Sequence, residues 1–189
     1  MHKSISSDKK QEIIKSTWEY LMKNGLTKAS VGDLCKEYKI SQSSLYYWFN
    51  DKEDIWVNAG KYGTSKVVEA LLAYTFDHID KVEEYFDTIL KEVEKYKYDL
   101  RLAVQITTSP VFGRYMRDQA MEFRGWYEQY ADKFVEVFQC KHIQAEIFIY
   151  SIISYIIDYA IWDDKIKTQM LLDNLKDRVL RLLKENQQA

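Results

Sequence analysis

Apolar residues recur at helical spacing along almost the whole chain, and no stretch shows the sustained apolar–polar alternation of a half-buried strand. The 189 residues include six glycines and a single proline, Pro110. Glycine and proline form most of the tight turns in loop-rich folds, so their scarcity excludes an all-β protein. The sequence therefore predicts an all-α fold.

Capping residues divide this periodic pattern into separate helices. Helices are expected at residues 8–24, 31–38, 42–49, 51–76, 80–97, 99–108, 111–138, 142–162 and 165–184. Ser30 and Ser41 precede the two short helices, and Asp8, Asn50 and the pair Asp163-Asp164 stand at the starts of longer ones, as N-cap residues do. About three residues join the two short helices. That spacing is typical of a helix-turn-helix.

The chain carries no recognisable catalytic motif. The three histidines, His2, His78 and His142, stand at no metal-ligand spacing from a cysteine or carboxylate, and no phosphate-binding glycine loop is present. Two cysteines are too few for a four-ligand zinc site. We therefore expect no enzyme activity, no metal and no cofactor.

No segment has the features of a secretory signal or of a membrane span. The longest nearly apolar stretch, residues 147–162, contains Ser151, Ser154 and Asp158 and is shorter than the roughly 20 residues that cross a bilayer. Residues 1–50 hold eight lysines and five acidic residues, whereas the rest of the chain is net acidic. The sequence predicts a cytoplasmic protein, without a membrane partner, whose first part meets an anion.

The second short helix begins with side chains suited to the major groove of DNA. Gln42 can pair bidentately with adenine, and Ser43 and Ser44 can reach base edges or phosphates. Tyr46 and Tyr47 fall off the apolar stripe of this helix, so we expect them to face DNA rather than the core. Together these residues predict a recognition helix.

The segment SVGDLCKEYKISQSSLYYWFNDKEDIW, residues 30–56, resembles the DNA-binding segment of the tetracycline-repressor (TetR) family. The matching positions are Ser30, Leu34, Ile40, Ser41, Leu45, Tyr46, Phe49, Lys52 and Glu53. Tyr38 and Lys39 replace the family's small residue and turn glycine, which costs strain where φ is positive. Ser30 and Lys52 stand at helix starts, where backbone N–H groups and charge can hold a phosphate. The resemblance implies that Ser44, Tyr46 and Lys52 contact the DNA backbone and that Gln42 and Ser43 contact bases.

The same resemblance implies an organisation and a function. It implies an N-terminal three-helix helix-turn-helix DNA-binding domain at residues 1–51 and a larger helical ligand-binding and dimerisation domain at residues 52–189. The expected function is a ligand-responsive transcriptional repressor that binds a palindromic double-stranded DNA operator as a homodimer. A small aromatic, hydrophobic or cationic effector would release it. The alternatives are an activator, a regulator controlled by a protein partner and, more remotely, a helical enzyme or lipid-binding protein.

Aromatic residues are dense in the second domain, and their polar groups suit an adaptable, wet cavity. The candidate effector-binding residues are Tyr85, Phe112, Tyr115, Trp126, Tyr127, Tyr130, Tyr155, Asp158 and Tyr159. Most aromatic residues at helical spacing pack in a core, so each of these has a purely structural alternative. Asp158 lies within an apolar helix and has three possible partners: a second subunit, water or a cationic ligand.

The helix at 142–162 is apolar on nearly every face, so we expect it to be buried all round. A two-fold four-helix interface with the leucine-rich last helix would bury it. The expected interface residues are Ile152, Leu175, Val179 and Leu182. Gly60 and Gly63 lie three apart in one helix and have two explanations, which are close packing against the first helix and a hinge that tilts the DNA-binding domain.

Overall fold

The computed structural model describes residues 2–72, 78–118 and 120–187, and within these ranges all regular structure is helical. The helices are α1 (His2–Asn24), α2 (Val31–Tyr38), α3 (Gln42–Trp48), α4 (Lys52–Leu72), α5 (Val82–Thr108), α6 (Gly113–Asp118), α7 (Ala120–Phe138), α8 (His142–Trp162) and α9 (Lys165–Gln187), with a 3-10 turn at Ile79–Lys81. The prediction of an all-α chain is confirmed. The side chains of residues 2–7, 72, 79, 116–124, 126 and 186–187 lie outside this description.

Some helix starts differ from the predicted ones for local reasons. α1 begins at His2, so Asp8 lies inside the helix and is not its cap. α4 is capped by Asp51 rather than Asn50, because Asp51 Oδ1 accepts a 2.7 Å hydrogen bond from the backbone N–H of Asp54. Asp164 does cap α9 as predicted, since its Oδ1 accepts from the N–H of Lys167 at 3.0 Å.

α5 is one continuous helix of 27 residues, although the sequence predicted a break near residue 98. Two polar residues at this point, Lys97 and Asp99, do not interrupt the helix, because both form hydrogen bonds within the folded protein. Both are buried: Lys97 donates a hydrogen bond to Asp163, in the corner between α8 and α9, and Asp99 accepts one from Trp18 on α1. After Pro110 the next helix begins at Gly113, and Ser109 Oγ accepts from the N–H groups of Val111 and Phe112 in the turn between them.

The chain divides into two compact units. The first unit comprises Met1–Lys66 and Tyr98–Gln119, and the second comprises Val67–Lys97 and Ala120–Ala189. The predicted domain boundary at residue 51 falls inside the first unit. Residues far apart in the sequence therefore share one core, a division that the pattern of helices could not reveal.

The core of the first unit includes buried residues from α1 to α5. The larger ones are Ile13, Trp18, Leu21, Leu34, Leu45, Phe49, Ile55, Trp56 and Ile106. Gly63 lies directly against Trp18, and a Cβ at this position would be less than 3.0 Å from the indole ring. A Cβ at Gly60 would lie 3.1 Å from Ile106. These contacts favour close packing over a hinge, although at Gly60 the neighbour is α5 and not the first helix.

In the second unit α8 packs against α7 and α9. Its buried residues are Ala145, Phe148, Ile149, Ile152, Ile156, Tyr159 and Ala160. By length and composition alone α8 is apolar enough to cross a membrane, contrary to the expectation from residues 147–162, and 39% of its most apolar window is buried in the protein. A core helix of a water-soluble protein passes the same test.

The expected dimer residues lie mostly inside the single chain. Ile152, Leu175 and Val179 are each 1% exposed, so they have no surface to offer a second copy, and Leu182 is half-buried. Apolar periodicity identified the buried stripe of α8 and α9 but assigned it to the wrong partner, because helices of the same chain already cover it. The exposed apolar residues of these two helices are Ile143, Ile147, Tyr150, Ile161, Trp162, Ile166 and Met170.

Candidate nucleic-acid interface

Ser30 fixes the start of α2 and ties it to α1. Its Oγ accepts the backbone N–H of Asp33 at 3.1 Å and donates to Asp33 Oδ2 at 2.6 Å. Its own backbone N–H donates to the hydroxyl of Tyr20, which is buried in α1. The Ser30 hydroxyl therefore acts as the cap of α2. A phosphate could bind this hydroxyl only in competition with its bonds to Asp33.

The connection between α2 and α3 turns at Lys39, which adopts the left-handed conformation with φ 54° and ψ 37°. This conformation costs a non-glycine residue about 1–2 kcal/mol. The N–H groups of Lys39 and Ile40 both donate to the carbonyl of Cys35, which closes the turn. The strain expected from the missing glycine is therefore present, and it places an exposed lysine beside the start of α3.

Ser41 caps α3 by accepting the backbone N–H of Ser44 at 3.1 Å. Leu45 is fully buried below the helix, and this directs the opposite face toward solvent. Gln42 and Ser43 are exposed, as are Tyr46 and Tyr47 at 47% and 76%. The structure therefore brings four of the predicted DNA-binding residues to one accessible face of α3, whereas Ser44 is half-buried and its backbone N–H is already used.

Lysines from other elements surround the start of α3. Lys9 and Lys39 line a cleft of about 300 Å³ that also includes Ser41 and Ser44. Glu12 lines the same cleft, so it is not uniformly basic. Sequence reasoning did not count Lys39 among the functional residues. Its replacement of the turn glycine was the signal that could have identified it.

Two further lysines lie over aromatic rings of the first unit. Lys10 Nζ is 5.3 Å from the centre of the Phe49 ring. Lys52, which is exposed, has its Nζ 5.7 Å from the Trp56 ring. Such contacts hold the ammonium groups near the surface, where they can still meet a phosphate.

Three of the candidate effector-binding residues line separate clefts among the residues that the structure describes. Tyr85 lines a cleft of about 410 Å³ with Ala70, Leu71, Lys81, Glu84, Thr88, Ile89 and Glu92. Tyr127 lines a different cleft, and Tyr155 borders an open groove on α8. Phe112 and Tyr115 belong to the first unit, and the Trp126 side chain lies outside the described residues.

The other three candidates have individual surroundings in the second unit. Tyr130 is half-buried, and this burial together with the nearby charge of Glu69 raises the pKa of its hydroxyl. Asp158 is half-buried on α8. Tyr159 is buried and donates a short hydrogen bond to Glu94 Oε2, so its polar group already has a partner in the protein.

Tyr159 belongs to a polar cluster with Glu94, Lys97 and Asp163. Lys97 Nζ lies 2.7 Å from Asp163 Oδ1, 3.0 Å from Glu94 Oε1 and 5.5 Å from the centre of the Tyr159 ring. The bonds to Asp163 and Glu94 raise the pKa of the Lys97 ammonium well above its ordinary value. The bonds from Tyr159 and Lys97 lower the pKa of Glu94. The cluster joins α5 to the corner between α8 and α9, where Asp163 ends α8 with a φ of 61°.

Neither a comparison with models of known protein families nor a search of curated protein sequences finds a significant match to this chain. Among the described residues, no group of three histidine, cysteine or acidic side chains is placed to hold a metal ion. The function therefore has to be argued from the exposed face of α3 and the lysines beside it.

Proposed function

We propose that this chain is a helix-turn-helix transcriptional regulator that reads DNA through α3. The observation that carries the proposal is the geometry from α2 to α3. A closed three-residue connection and a buried Leu45 hold α3, while Gln42, Ser43, Tyr46 and Tyr47 remain at the surface. A short helix anchored on one side and polar on the other is what the major groove accepts.

In this proposal some exposed side chains contact bases and others contact phosphates. Gln42 offers an amide oxygen and an amide nitrogen, which can pair with N6 and N7 of adenine. The hydroxyls of Tyr46 and Tyr47 and the ammonium groups of Lys39 and Lys52 serve the phosphates on either side. Gln42 and Ser43 then give sequence preference, and the tyrosines and lysines give most of the affinity.

The regulator acts as a homodimer in this proposal. Ile143, Ile147 and Ile161 lie on one face of α8, at helical spacing, and all are more than 40% exposed. An exposed apolar stripe of this length is a typical protein–protein interface. Two copies joined there present two α3 helices to a palindromic operator, whose half-sites lie about 34–36 Å apart.

A small effector would control the dimer by favouring a state that does not match the operator. Repression and release by ligand is the simplest form of such control. Regulation of this kind takes place in the cytoplasm, where the DNA is.

Selection from a random pool of double-stranded DNA tests the proposal directly. The full-length protein should enrich a palindromic sequence, and its affinity should fall steeply with salt because bound phosphates release counterions. Gln42→Ala should weaken binding, and Gln105→Ala, an exposed glutamine on α5, is the matched control. Absence of enrichment, or equal effects of the two substitutions, would refute the assignment.

A further inference from the structure

A cleft of about 130 Å³ between α7 and α8 combines two tyrosines with two carboxylates. It is lined by Tyr127, Glu128, Glu146, Ile149 and Tyr150. Of these five residues, only Tyr127 is among the effector-binding residues predicted from the sequence. The other four could not be singled out, because only the packing of α7 against α8 brings them together.

The rings of Tyr127 and Tyr150 lie side by side at this cleft. The centroids of Tyr127 and Tyr150 are 5.4 Å apart, and the ring planes are inclined by 52°. The face of an aromatic ring carries negative charge density and attracts a cation within about 6 Å. Ile149 is fully buried and supplies an apolar wall.

The carboxylates of Glu128 and Glu146 make the cleft favourable for a positively charged ligand. Among the described residues, no cationic group lies within 4.0 Å of Glu128. Glu146 Oε1 lies 3.7 Å from the imidazole Nδ1 of His142. Burial raises the pKa of Tyr127, so its ring is a neutral phenol beside these charges. Both carboxylates reach solvent, and their charge attracts a cation to the cleft and repels an anion.

We propose that this cleft binds the cationic head group of a small organic amine. The volume limits the occupant to a head group, since pockets for drug-sized molecules are about 300–1,000 Å³. Two tyrosine rings at the edge of the cleft suit an alkylated ammonium, whose charge is spread over methyl groups. As an assignment of the effector class, the inference rests on the proposed function, whereas binding of the amine can be measured without it.

Choline and its neutral isostere 3,3-dimethylbutan-1-ol are matched probes, because they differ in one charged atom and have almost the same shape. Isothermal titration calorimetry of the full-length protein, at constant ionic strength and without DNA, should show binding of choline. The neutral alcohol should bind about tenfold more weakly. Equal affinities for the two compounds, or no binding of choline, would overturn the proposal.

Substitutions locate the binding in this cleft. Glu128→Gln and Glu146→Gln should each weaken choline binding severalfold, whereas Glu136→Gln, at an exposed position of α7, should not. Tyr150→Phe keeps the ring and should bind as the wild type does, and Tyr150→Leu should lose most of the affinity. Circular dichroism confirms that each variant is folded. A Glu136→Gln effect equal to that of Glu128→Gln would place the cation elsewhere and refute the cleft.

The DNA selection and the choline titration test the two proposals independently of each other. Operator binding without choline binding refutes the cleft and leaves the DNA-binding role intact. Choline binding without any selected DNA sequence refutes the DNA-binding role and leaves the cleft. If both hold, choline-type amines should weaken operator binding by wild type more than by Glu128→Gln.

Discussion

The indole N–H of Trp18 donates a 2.9 Å hydrogen bond to the buried carboxylate of Asp99, 81 positions later in the sequence. Lys66 Nζ lies 3.5 Å from the same carboxylate oxygen. One acidic side chain therefore joins α1, α4 and α5 within the first unit. Gly63 sits against the same indole, so the ring is fixed by packing and by its hydrogen bond.

Removal of the Asp99 carboxylate should destabilise the protein. Asp99→Leu leaves the Trp18 N–H buried without an acceptor, which costs about 1–3 kcal/mol. Asp99→Asn keeps an acceptor oxygen and should cost less. Urea unfolding followed by circular dichroism measures both variants. A Leu variant as stable as the Asn variant would mean that the hydrogen bond contributes nothing.

A methyl group at Gly63 should be costly, because the Trp18 ring occupies its place. We expect Gly63→Ala to lower the free energy of unfolding by about 1–3 kcal/mol. Gly125→Ala is the control, because a Cβ there meets nothing within 4 Å, and it should raise stability by about 0.5–1 kcal/mol. Thermal unfolding distinguishes the two. A Gly63→Ala protein of full stability that no longer responds to effector would restore the hinge explanation.

Base reading and phosphate binding should separate in two variants of the proposed DNA interface. Gln42→Ala should cost about 1–3 kcal/mol on the selected sequence and relax the preference at one base pair of each half-site. Lys52→Ala should weaken binding to all sequences alike and reduce its salt dependence. Fluorescence anisotropy at several salt concentrations measures both. Equal loss on selected and scrambled DNA for Gln42→Ala would exclude a base contact.

The proposed dimer surface on α8 predicts different outcomes for substitutions of two isoleucines of this helix. Ile147→Glu adds a charge to an exposed position and should give a folded monomer. Ile152→Glu buries a charge inside the chain and should unfold it. Sedimentation and circular dichroism report the two effects, with the exposed Lys167→Glu as a control. A stable Ile147→Glu dimer would show that the copies meet elsewhere.

Glu94 should make stability depend on acidic pH. The hydrogen bond from Tyr159 and that from Lys97 lower its pKa below the ordinary value of 4.5. The contribution of Glu94 is therefore complete above its unfolded pKa and is lost as the pH falls through the lowered folded value. Urea unfolding between neutral and acidic pH should show a shallower decline for Glu94→Gln than for wild type. Glu136→Gln should follow the wild type, and matching profiles for all three would contradict the assignment.

Local rules predicted the parts of the structure that depend on neighbouring residues. Ser30 and Ser41 cap α2 and α3 as expected, because a cap needs only a hydroxyl and an N–H three residues later. The continuity of α5 was not predicted, since it depends on hydrogen bonds between Lys97 and Asp163 and between Asp99 and Trp18, which are far apart in the sequence. The periodicity of Ile152 showed that it is buried but not which chain buries it.

The cleft between α7 and α8 could not be predicted from the sequence, because its residues come from two helices. In the sequence, Glu128 and Glu146 are single charged residues on two different helices. Their shared role requires the register of α7 against α8, which also sets the angle between the Tyr127 and Tyr150 rings. Spacing within one helix carries no information about that register.

The first unit is assembled from two separate stretches of sequence, and this constrains how the protein is made and how it can be recombined. During synthesis, Trp18 and Gly60 have to wait for Asp99 and Ile106 to leave the ribosome before their contacts can form. A chimaera that borrows only the segment up to Lys66 would expose the surfaces that residues 98–119 cover. A transfer of the proposed DNA-reading surface to another chain therefore requires moving both stretches together, or grafting only the exposed side chains of α3.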